Sequence, residues 1–335
     1  MLGRCSNSWS IIIKLPRRTF LHLATGAAAL PAASRIALAL DYPTRPVRLL
    51  VGFFAGGLSD ILARLIAQPL SERLGQQVIV DDRPGAGSNI ATELVTKAPP
   101  DGYTLLLVPV SATINATLYD NLNFNFSRDI APVASISRTP GVMVVNLSLP
   151  VRTVPEFIAY AKANPGKINF ASAGTGSLPH VAGELFKLMT GLNLVQVQYR
   201  SNYFPDLIAG QVHVSFATMP SAIEFVRAGK LRALAVTGAA RSEVLPDVPT
   251  VGEFIPGYEA DAWNGIGAPA NTPSDIIEKL NKEINAALAE PAIQVRLAEL
   301  GSKPLSMTPS EFGKFIAVEI EKWAKVIKAA GIKAE

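Results

Sequence analysis

Short apolar runs alternate with segments of helical periodicity through most of this chain. The apolar runs predict strands at Val47–Phe53, Val78–Asp81, Tyr103–Pro109, Val133–Ser137, Val142–Asn146, Ile168–Ala171, Leu194–Tyr199, Val212–Ala217, Ala233–Val236 and Trp263–Ala268. The periodic segments predict helices at Asp60–Leu74, Ile90–Lys97, Thr153–Ala163, Pro179–Met189, Asp206–Ala209, Ile223–Arg227, Ser274–Leu288, Ala292–Leu300 and Ser310–Ala329. Pro69 lies inside the first of these helices and is expected to bend it or end it early.

This alternation is typical of an α/β fold, in which ligands bind at the carboxyl ends of the strands. About 295 residues remain after a predicted leader, more than one domain usually holds, so we predict two lobes. We expect a mostly parallel sheet in each lobe and a ligand cleft between them. Residues 41–141 plus 266–335 would form lobe I, and residues 142–265 would form lobe II.

The junction from Phe53 to Asp60 has the composition of an anion site. Gly56 and Gly57 let the backbone turn and let a ligand approach closely. Ser59 or Asp60 would then cap a helix whose first N–H groups carry partial positive charge. A carboxylate or a phosphate suits such a place, although α/β proteins also contain turns of this kind that bind nothing.

Similar strand–glycine–helix junctions recur at Pro84–Asn89 and at Ser172–Ser177. The third adds the hydroxyls of Ser172, Thr175 and Ser177, which can either contact an anion or cap the helix. Two junctions fall in predicted lobe I and one in lobe II. A cleft lined by helix starts from both lobes could hold a carboxylate without a fixed cation.

The first residues of the chain have the features of an export signal. They include Arg17-Arg18, which resembles a twin-arginine signature, and an Ala/Leu-rich segment that starts at Phe20. Ala37-Leu38-Ala39 fits a cleavage site, so we predict a signal peptide over residues 1–39, cleavage after Ala39 and a periplasmic protein. A membrane anchor and export by the Sec route are the alternatives.

Removal of the leader changes the charge and the cysteine content. The chain has 31 basic and 27 acidic residues, and five basic residues lie in the leader, so 26 basic residues would face 27 acidic ones. This near-neutral balance gives no reason to predict a nucleic-acid partner. Cys5 is the only cysteine of the sequence and would leave with the leader, which excludes disulfides and thiolate metal sites from the mature part.

The sequence offers few candidates for catalysis, metals or cofactors. Only His180 and His213 follow the leader, and the metalloprotease, nucleophile-elbow and P-loop motifs are absent from the sequence. The run Gly85–Ile90 departs from the dinucleotide fingerprint because Ile90 stands where a small residue belongs. His180 could face an anion or could serve as a helix-surface or capping residue. We therefore predict no catalytic residue, no metal and no cofactor.

Several segments, in their order along the chain, resemble the Bug-type solute-binding proteins of the tripartite tricarboxylate transporter family. They are Val51–Asp60, Asp82–Gly87 with Asn89, Pro100–Leu105, Ala173–His180, Ala209–Val212, Leu245–Thr250 and Lys322-Trp323. The resemblance implies a two-lobed periplasmic binding protein of the type II kind. It also implies a small carboxylate ligand that is passed to membrane permease subunits.

Carried over residue by residue, the resemblance implies a set of ligand contacts: Phe54, Gly56, Gly57, Ser59, Asp60, Ser88, Asn89, Thr175 and Ser177. Tyr203 and Thr218 are added as candidates for the distal end of the ligand, although Tyr203 and Phe204 could equally be core residues. Ser88 stands where the family often has glycine, and Ser201–Phe204 replaces a glycine-containing segment. Ala217-Thr218 stands where some members have an aspartate, which favours a plain organic acid over an amino acid.

The resulting prediction is a monomeric, non-enzymatic binding protein for a dicarboxylate, a tricarboxylate or an aromatic acid. One alternative is a carboxylate sensor that docks on a membrane receptor. Another is an enzyme on the same scaffold that uses Asp60 or His180 as an acid or base.

Overall fold

A computed structural model describes residues 42–172, 174–199 and 202–334. The predicted leader and its cleavage point lie outside these residues. The strands are β1 Val47–Val51, β2 Val78–Asp82, β3 Thr104–Pro109, β4 Ile130–Asn146, β5 Ile168–Ser172, β6 Leu194–Gln198, β7 Val214–Thr218, β8 Leu231–Val236, β9 Asp261–Pro269 and β10 Lys303–Pro304. The helices are α1 Leu58–Leu74, α2 Asn89–Thr96, α3 Val110–Leu118, α4 Phe126–Asp129, α5 Val154–Ala163, α6 Leu178–Thr190, α7 Phe204–Ala209, α8 Met219–Arg227, α9 Ser274–Leu288, α10 Pro291–Glu299 and α11 Pro309–Ala330.

The strands form a mixed sheet in the order β2-β1-β3-β9-β4-β7-β5-β6, with β8 and β10 paired to β4. On one side β1 runs parallel to β2 and β3, and on the other β5 runs parallel to β6 and β7. The pairings of β4 and β9 are antiparallel. Each half is thus an α/β unit with a parallel part, as expected, while the strands in the middle make the sheet mixed.

The longest strand corrects one prediction. Two strands were expected at Val133–Ser137 and Val142–Asn146, but β4 is a single 17-residue strand. Its register explains this, because the first part pairs with β9 as far as Pro140 and the next part pairs with β7 from Gly141 onward. A Cβ on Gly141 would stand 2.8 Å from the carbonyl oxygen of Ala217, so glycine allows the two halves to approach here. The predicted lobe boundary at 141/142 falls beside this crossing, whereas the one at 265/266 falls within β9, and both stay predictions.

Helix α1 continues through Pro69 to Leu74, so of the two expected effects of this proline the early end does not occur. Proline removes one backbone hydrogen bond, but Leu62, Ile66 and Leu70 are buried on the same helix. Burial of this apolar face offsets the lost bond and holds the helix together. Among the described residues, no helix has the length and apolar character needed to cross a membrane.

Candidate ligand-binding cleft

A cavity of about 380 Å³ lies at the carboxyl ends of the parallel strands of both halves. Residues at or just beyond the ends of β1, β3, β5 and β7 contribute to its wall. The described residues that line it are Phe53, Leu58, Ser59, Gly87, Pro109, Val110, Ser111, Asn115, Tyr119, Thr175, Gly176, Ser177, Leu178, Pro179, Thr218, Ala262, Trp263 and Asn264. The cavity therefore lies where strand–helix junctions from the two halves meet.

Four helices begin at this wall without a side-chain cap. The N-cap residues of α1, α3, α6 and α8 are Gly57, Pro109, Ser177 and Thr218, and none of them accepts a hydrogen bond from its helix through its side chain. Helices α4, α5 and α11 are capped by the side chains of their N-cap residues, whereas α2, α7, α9 and α10 also lack such a cap. What distinguishes the cavity is therefore that four uncapped helix starts meet at one wall. Uncapped helix starts present N–H groups and partial positive charge, so the wall favours an anion.

The described side chains of the wall add no negative charge that would offset the partial positive charge of the helix starts. The described lining residues include no Asp, Glu, Lys, Arg or His. They do include hydroxyl and amide side chains, which can donate hydrogen bonds to a carboxylate. The Ser59 hydroxyl donates to Asn264 Oδ1 at 3.2 Å and the Thr175 hydroxyl to Gln198 Oε1 at 2.9 Å. The Oγ of Ser177 has no partner among the described residues.

The predicted contacts at the first junction divide into two groups. Ser59 lines the cavity, whereas Phe54, Gly56, Gly57 and Asp60 do not, and the Phe54 side chain is 78% exposed. The Gly56 N–H donates to Asp60 Oδ2 at 2.7 Å, and the Gly57 N–H donates to the carbonyl of Phe54 at 3.3 Å. These amides are therefore engaged within their own loop.

The cap predicted for α1 was wrong. Neither Ser59 nor Asp60 occupies the N-cap position, because the helix begins at Leu58 after Gly57. Asp60 is buried, and its second oxygen lies 2.6 Å from Nε of Arg64. The carboxylate thus stabilises the preceding turn through Gly56 and is neutralised by a cation outside the cavity wall.

The second junction, Pro84–Asn89, is hydrogen-bonded to Asn115 of the cavity wall. Gly87 lines the cavity, and Asn115 Nδ2 donates to the Gly87 carbonyl at 2.9 Å and to Asn89 Oδ1 at 3.0 Å. The Oγ of Ser88 and the Nδ2 of Asn89 are buried without a partner among the described residues. Ser88 and Asn89 therefore have unused hydrogen-bonding capacity next to the cavity.

The candidates for the distal end lie in different environments. Thr218 lines the cavity, and its hydroxyl is hydrogen-bonded to that of Ser221 at 2.9 Å. Tyr203 is 5% exposed and stacks on Phe204 with 4.7 Å between ring centroids. Burial raises the pKa of the Tyr203 phenol. Of the two interpretations of Tyr203 and Phe204, the packing supports the core.

His180 fixes the third junction. Its buried Nδ1 accepts the N–H of Gly176 at 3.2 Å, and Gly176 lines the cavity. Burial, with a smaller effect of Lys187, lowers the pKa of His180 to about 4, so the imidazole is neutral and can act as an acceptor. This supports the capping role over direct contact with an anion. No group of three or more metal-binding side chains occurs in the described part of the chain.

Comparison with known proteins decides the family. The model of the family described as tripartite tricarboxylate transporter family receptor, TctC, matches residues 62–332. The chain belongs to the TctC receptor family. The protein BugT of Bordetella pertussis is 37% identical over 318 residues, which cover 93% of this chain and 96% of BugT. The Bug-type resemblance predicted from the sequence is thereby confirmed.

Solved structures of TctC-type proteins have the same fold. The R. palustris protein Rpa4515, solved with adipate, superposes with a TM-score of 0.77 at 38% identity, covering 87% of this chain and 99% of Rpa4515. MatC from Rhodopseudomonas palustris, solved with bound malate, gives a TM-score of 0.73 at 29% identity and covers 85% of this chain and 100% of MatC. These matches confirm the α/β, two-lobed binding-protein fold.

Sequence reasoning missed part of this TctC-type cleft. The junction from Pro109 to Ser111, Asn115 of α3 and Asn264 of β9 all line the cavity. Glycine marks the three predicted junctions, but the chain turns from β3 into α3 at Pro109 without a glycine. An available signal was the polar pair Ser111 and Asn115, which are four residues apart and face the same side of a helix.

Proposed function

We propose that the protein is a periplasmic receptor that captures a small organic dicarboxylate for a tripartite tricarboxylate-type permease. The observation that carries the proposal is the set of four uncapped helix starts around one cavity, with no charged side chain among the described lining residues. Such a wall supplies positive potential from backbone dipoles to any carboxylate that enters.

The arrangement of the helix starts favours two carboxylates over one. Helices α1 and α3 begin in one half of the fold, and α6 and α8 begin in the other. A ligand with an acid group at each end could place one on either side. The TctC-type relatives solved with adipate and malate hold dicarboxylates, which supports the same class of ligand here.

Direct contacts are assigned to the hydroxyls of Ser59, Thr175, Ser177 and Thr218, all of which line the cavity. The other predicted contacts, Phe54, Gly56, Gly57, Asp60, Ser88 and Asn89, do not line this cavity, and their contact with the ligand stays a prediction. The wall offers no described carboxylate or imidazole for general acid–base chemistry, which supports binding over catalysis.

Calorimetry with adipate, malate and the neutral diamide adipamide tests the proposal. We expect one adipate or malate to bind per chain and adipamide not to bind, because the helix dipoles stabilise negative charge. Absence of binding by any dicarboxylate in a panel, or equal binding of adipamide, would contradict the proposal. Mass spectrometry after incubation should return the ligand intact, whereas turnover would favour the enzyme.

Export and assembly are part of the same proposal. We expect cleavage after Ala39, release into the periplasm and a monomer in solution. Fractionation of cells with N-terminal sequencing tests the first two expectations, and light scattering tests the third. Crosslinking in cells distinguishes a permease partner from a sensor receptor.

A further inference from the structure

A second cavity, of about 210 Å³, lies beside the crossing of β4 between the two halves. Its described lining residues include Arg138 and Pro140 of β4, Asp261 at the start of β9, Gly238 after β8 and Lys303 of β10. The described lining of this cavity and that of the ligand cleft have no residue in common. It is therefore a separate space that the proposed transport function does not use.

Asp261 is a buried carboxylate in the wall of this cavity, and one of its oxygens lacks a hydrogen-bond donor in the described part of the chain. Its side chain is buried, with 5% of the residue exposed, and Oδ1 has no hydrogen-bond partner among the described residues. The nearest guanidinium atom is Arg138 Nε, 4.0 Å from Asp261 Oδ2, beyond hydrogen-bond distance. Arg138 instead donates through Nη1 to Glu259 at 2.6 Å. Arg138 Nε is itself buried without a hydrogen-bond partner among the described residues, but at 4.0 Å from Oδ2 it leaves Asp261 Oδ1 without a donor. A buried carboxylate oxygen without a donor is costly, and a ligand that donates to it would relieve that cost.

The charges around the cavity leave the same carboxylate uncompensated. Arg241 pairs with Glu253 at 2.7 Å, and Lys303 pairs with Glu243 at 2.9 Å. On α11, Lys322 pairs with Glu319. Because Arg138 is shared between Glu259 and Asp261, the negative charge left over is that of Asp261.

The shape of the wall limits what can approach Asp261. A Cβ on Gly238 would stand 3.0 Å from Asp261 Oδ1, so glycine keeps the space beside the carboxylate open. Much of the remaining wall is apolar and consists of Pro140, Ala239, Ala240, Val244 and Ala298. The cavity thus combines the buried carboxylate of Asp261 and an aliphatic surface with the exposed, paired side chains of Arg241, Glu243 and Lys303.

We propose that this cavity is a second ligand site, which binds a small primary alkylammonium ion. The ammonium group donates to Asp261 Oδ1, and the alkyl chain packs against Pro140, Ala239 and Val244. An ammonium group supplies up to three N–H donors and the missing positive charge. The alkyl chain gains from burial against the aliphatic wall.

Binding to this site depends on pH in a defined direction. Burial raises the pKa of Asp261 to about 7, with smaller opposing effects from Arg138 and Lys322 and supporting ones from Glu259 and Glu319. The ammonium ion binds the ionised carboxylate, so affinity rises as the pH rises through this range. For one group with a pKa of about 7, the ionised fraction and hence the affinity increase roughly tenfold between pH 6 and pH 8.

Ligand-observed NMR with n-butylammonium tests the proposal on the purified protein. Tetramethylammonium, which has no N–H donor, and n-butanol, which has no charge, are the matched ligands. We expect saturable binding of n-butylammonium at pH 8 that is roughly tenfold weaker at pH 6, and no saturable binding of the other two. No saturable binding of n-butylammonium, or equal binding of tetramethylammonium, would overturn the assignment.

The variant Asp261→Asn tests the residue itself, and Glu243→Gln is the control at an exposed, paired carboxylate of the same wall. Asp261→Asn should abolish n-butylammonium binding, while Glu243→Gln should retain it. Thermal unfolding at pH 8 monitors the fold, and Asp261→Asn should unfold at a higher temperature because it removes an uncompensated buried charge. A folded Asp261→Asn protein that binds n-butylammonium as the wild type does would refute the site.

Discussion

A carboxylate placed at the wall of the cleft should abolish ligand binding without unfolding the protein. Ser111 is the second residue of α3 and lines the cavity, and its hydroxyl donates to the carbonyl of Gly87 at 3.0 Å. In the variant Ser111→Asp, a fixed negative charge would occupy the place that the ligand's acid group requires. This tests whether the uncapped helix starts hold an anion.

The magnitude of the binding effect follows from the size of the cavity. A sphere of 380 Å³ has a radius of about 4.5 Å, so a ligand carboxylate lies roughly 5 Å from a charge on the wall. At an effective dielectric constant of about 20, two like charges at that separation repel by about 3 kcal/mol. The dissociation constant should therefore rise by about two orders of magnitude.

The effect on stability should be small because two contributions oppose each other. An acidic residue in the first turn of a helix contributes about 0.3–1 kcal/mol through the helix dipole. Loss of the Ser111 hydrogen bond to Gly87 costs about 0.5–1.5 kcal/mol. The free energy of unfolding should thus change by less than about 1 kcal/mol.

Calorimetry with adipate and urea unfolding measure the two effects. Ser310→Asp is a matched control, because Ser310 is the exposed second residue of α11 and lies outside the described wall of the cleft. Ser111→Ala removes the hydroxyl without adding charge and should weaken binding far less than Ser111→Asp. Wild-type affinity in a folded Ser111→Asp protein, or equal losses in Ser111→Asp and Ser111→Ala, would refute the electrostatic account.

Three further predictions concern residues that support the cleft. In urea unfolding, Gly176→Ala should destabilise the protein by about 1–3 kcal/mol more than Gly174→Ala. Both glycines have positive φ, but only a Cβ at position 176 would meet the Leu118 side chain, at 2.3 Å. Burial lowers the pKa of His180 to about 4, so the contribution of this residue to stability is complete above pH 6.5 and falls by about 3 kcal/mol as the pH drops to 4. The unfolding free energies of the wild type and His180→Asn should therefore diverge across that range. Parallel curves would exclude His180 as the source of this pH dependence. Glu319 Oε2 accepts the indole N–H groups of Trp263 and Trp323, each at 3.1 Å. Glu319→Leu leaves both buried N–H groups without an acceptor and should lower the free energy of unfolding by about 2–5 kcal/mol. Glu319→Gln retains an acceptor oxygen and should lower it by less than half as much in the same assay.

Local sequence patterns predicted most helices and strands because their causes are local. The apolar run at β3, the proline-started helix α5 and the periodic helix α9 are all visible in the sequence, and the structure places them within a residue or two of the expected bounds. Helix α1 did not end early at Pro69, and β4 did not divide in two, because burial and pairing with distant strands outweighed the local signal.

For the cleft, the sequence by itself determined the strand–glycine–helix junctions, the absence of cysteine after residue 5 and the order of motifs that resembles the TctC receptors. These depend on residue types and spacing along the chain. Only the tertiary structure decided that Pro109–Ser111 and Asn264 belong to the wall, that Tyr203 lies in the core and that the amides of Gly56 and Gly57 bond within their loop. The physical reason is that the wall is formed where the starts of α1, α3, α6 and α8 meet, and which helix starts meet is set by the pairing order of strands that are distant in the sequence.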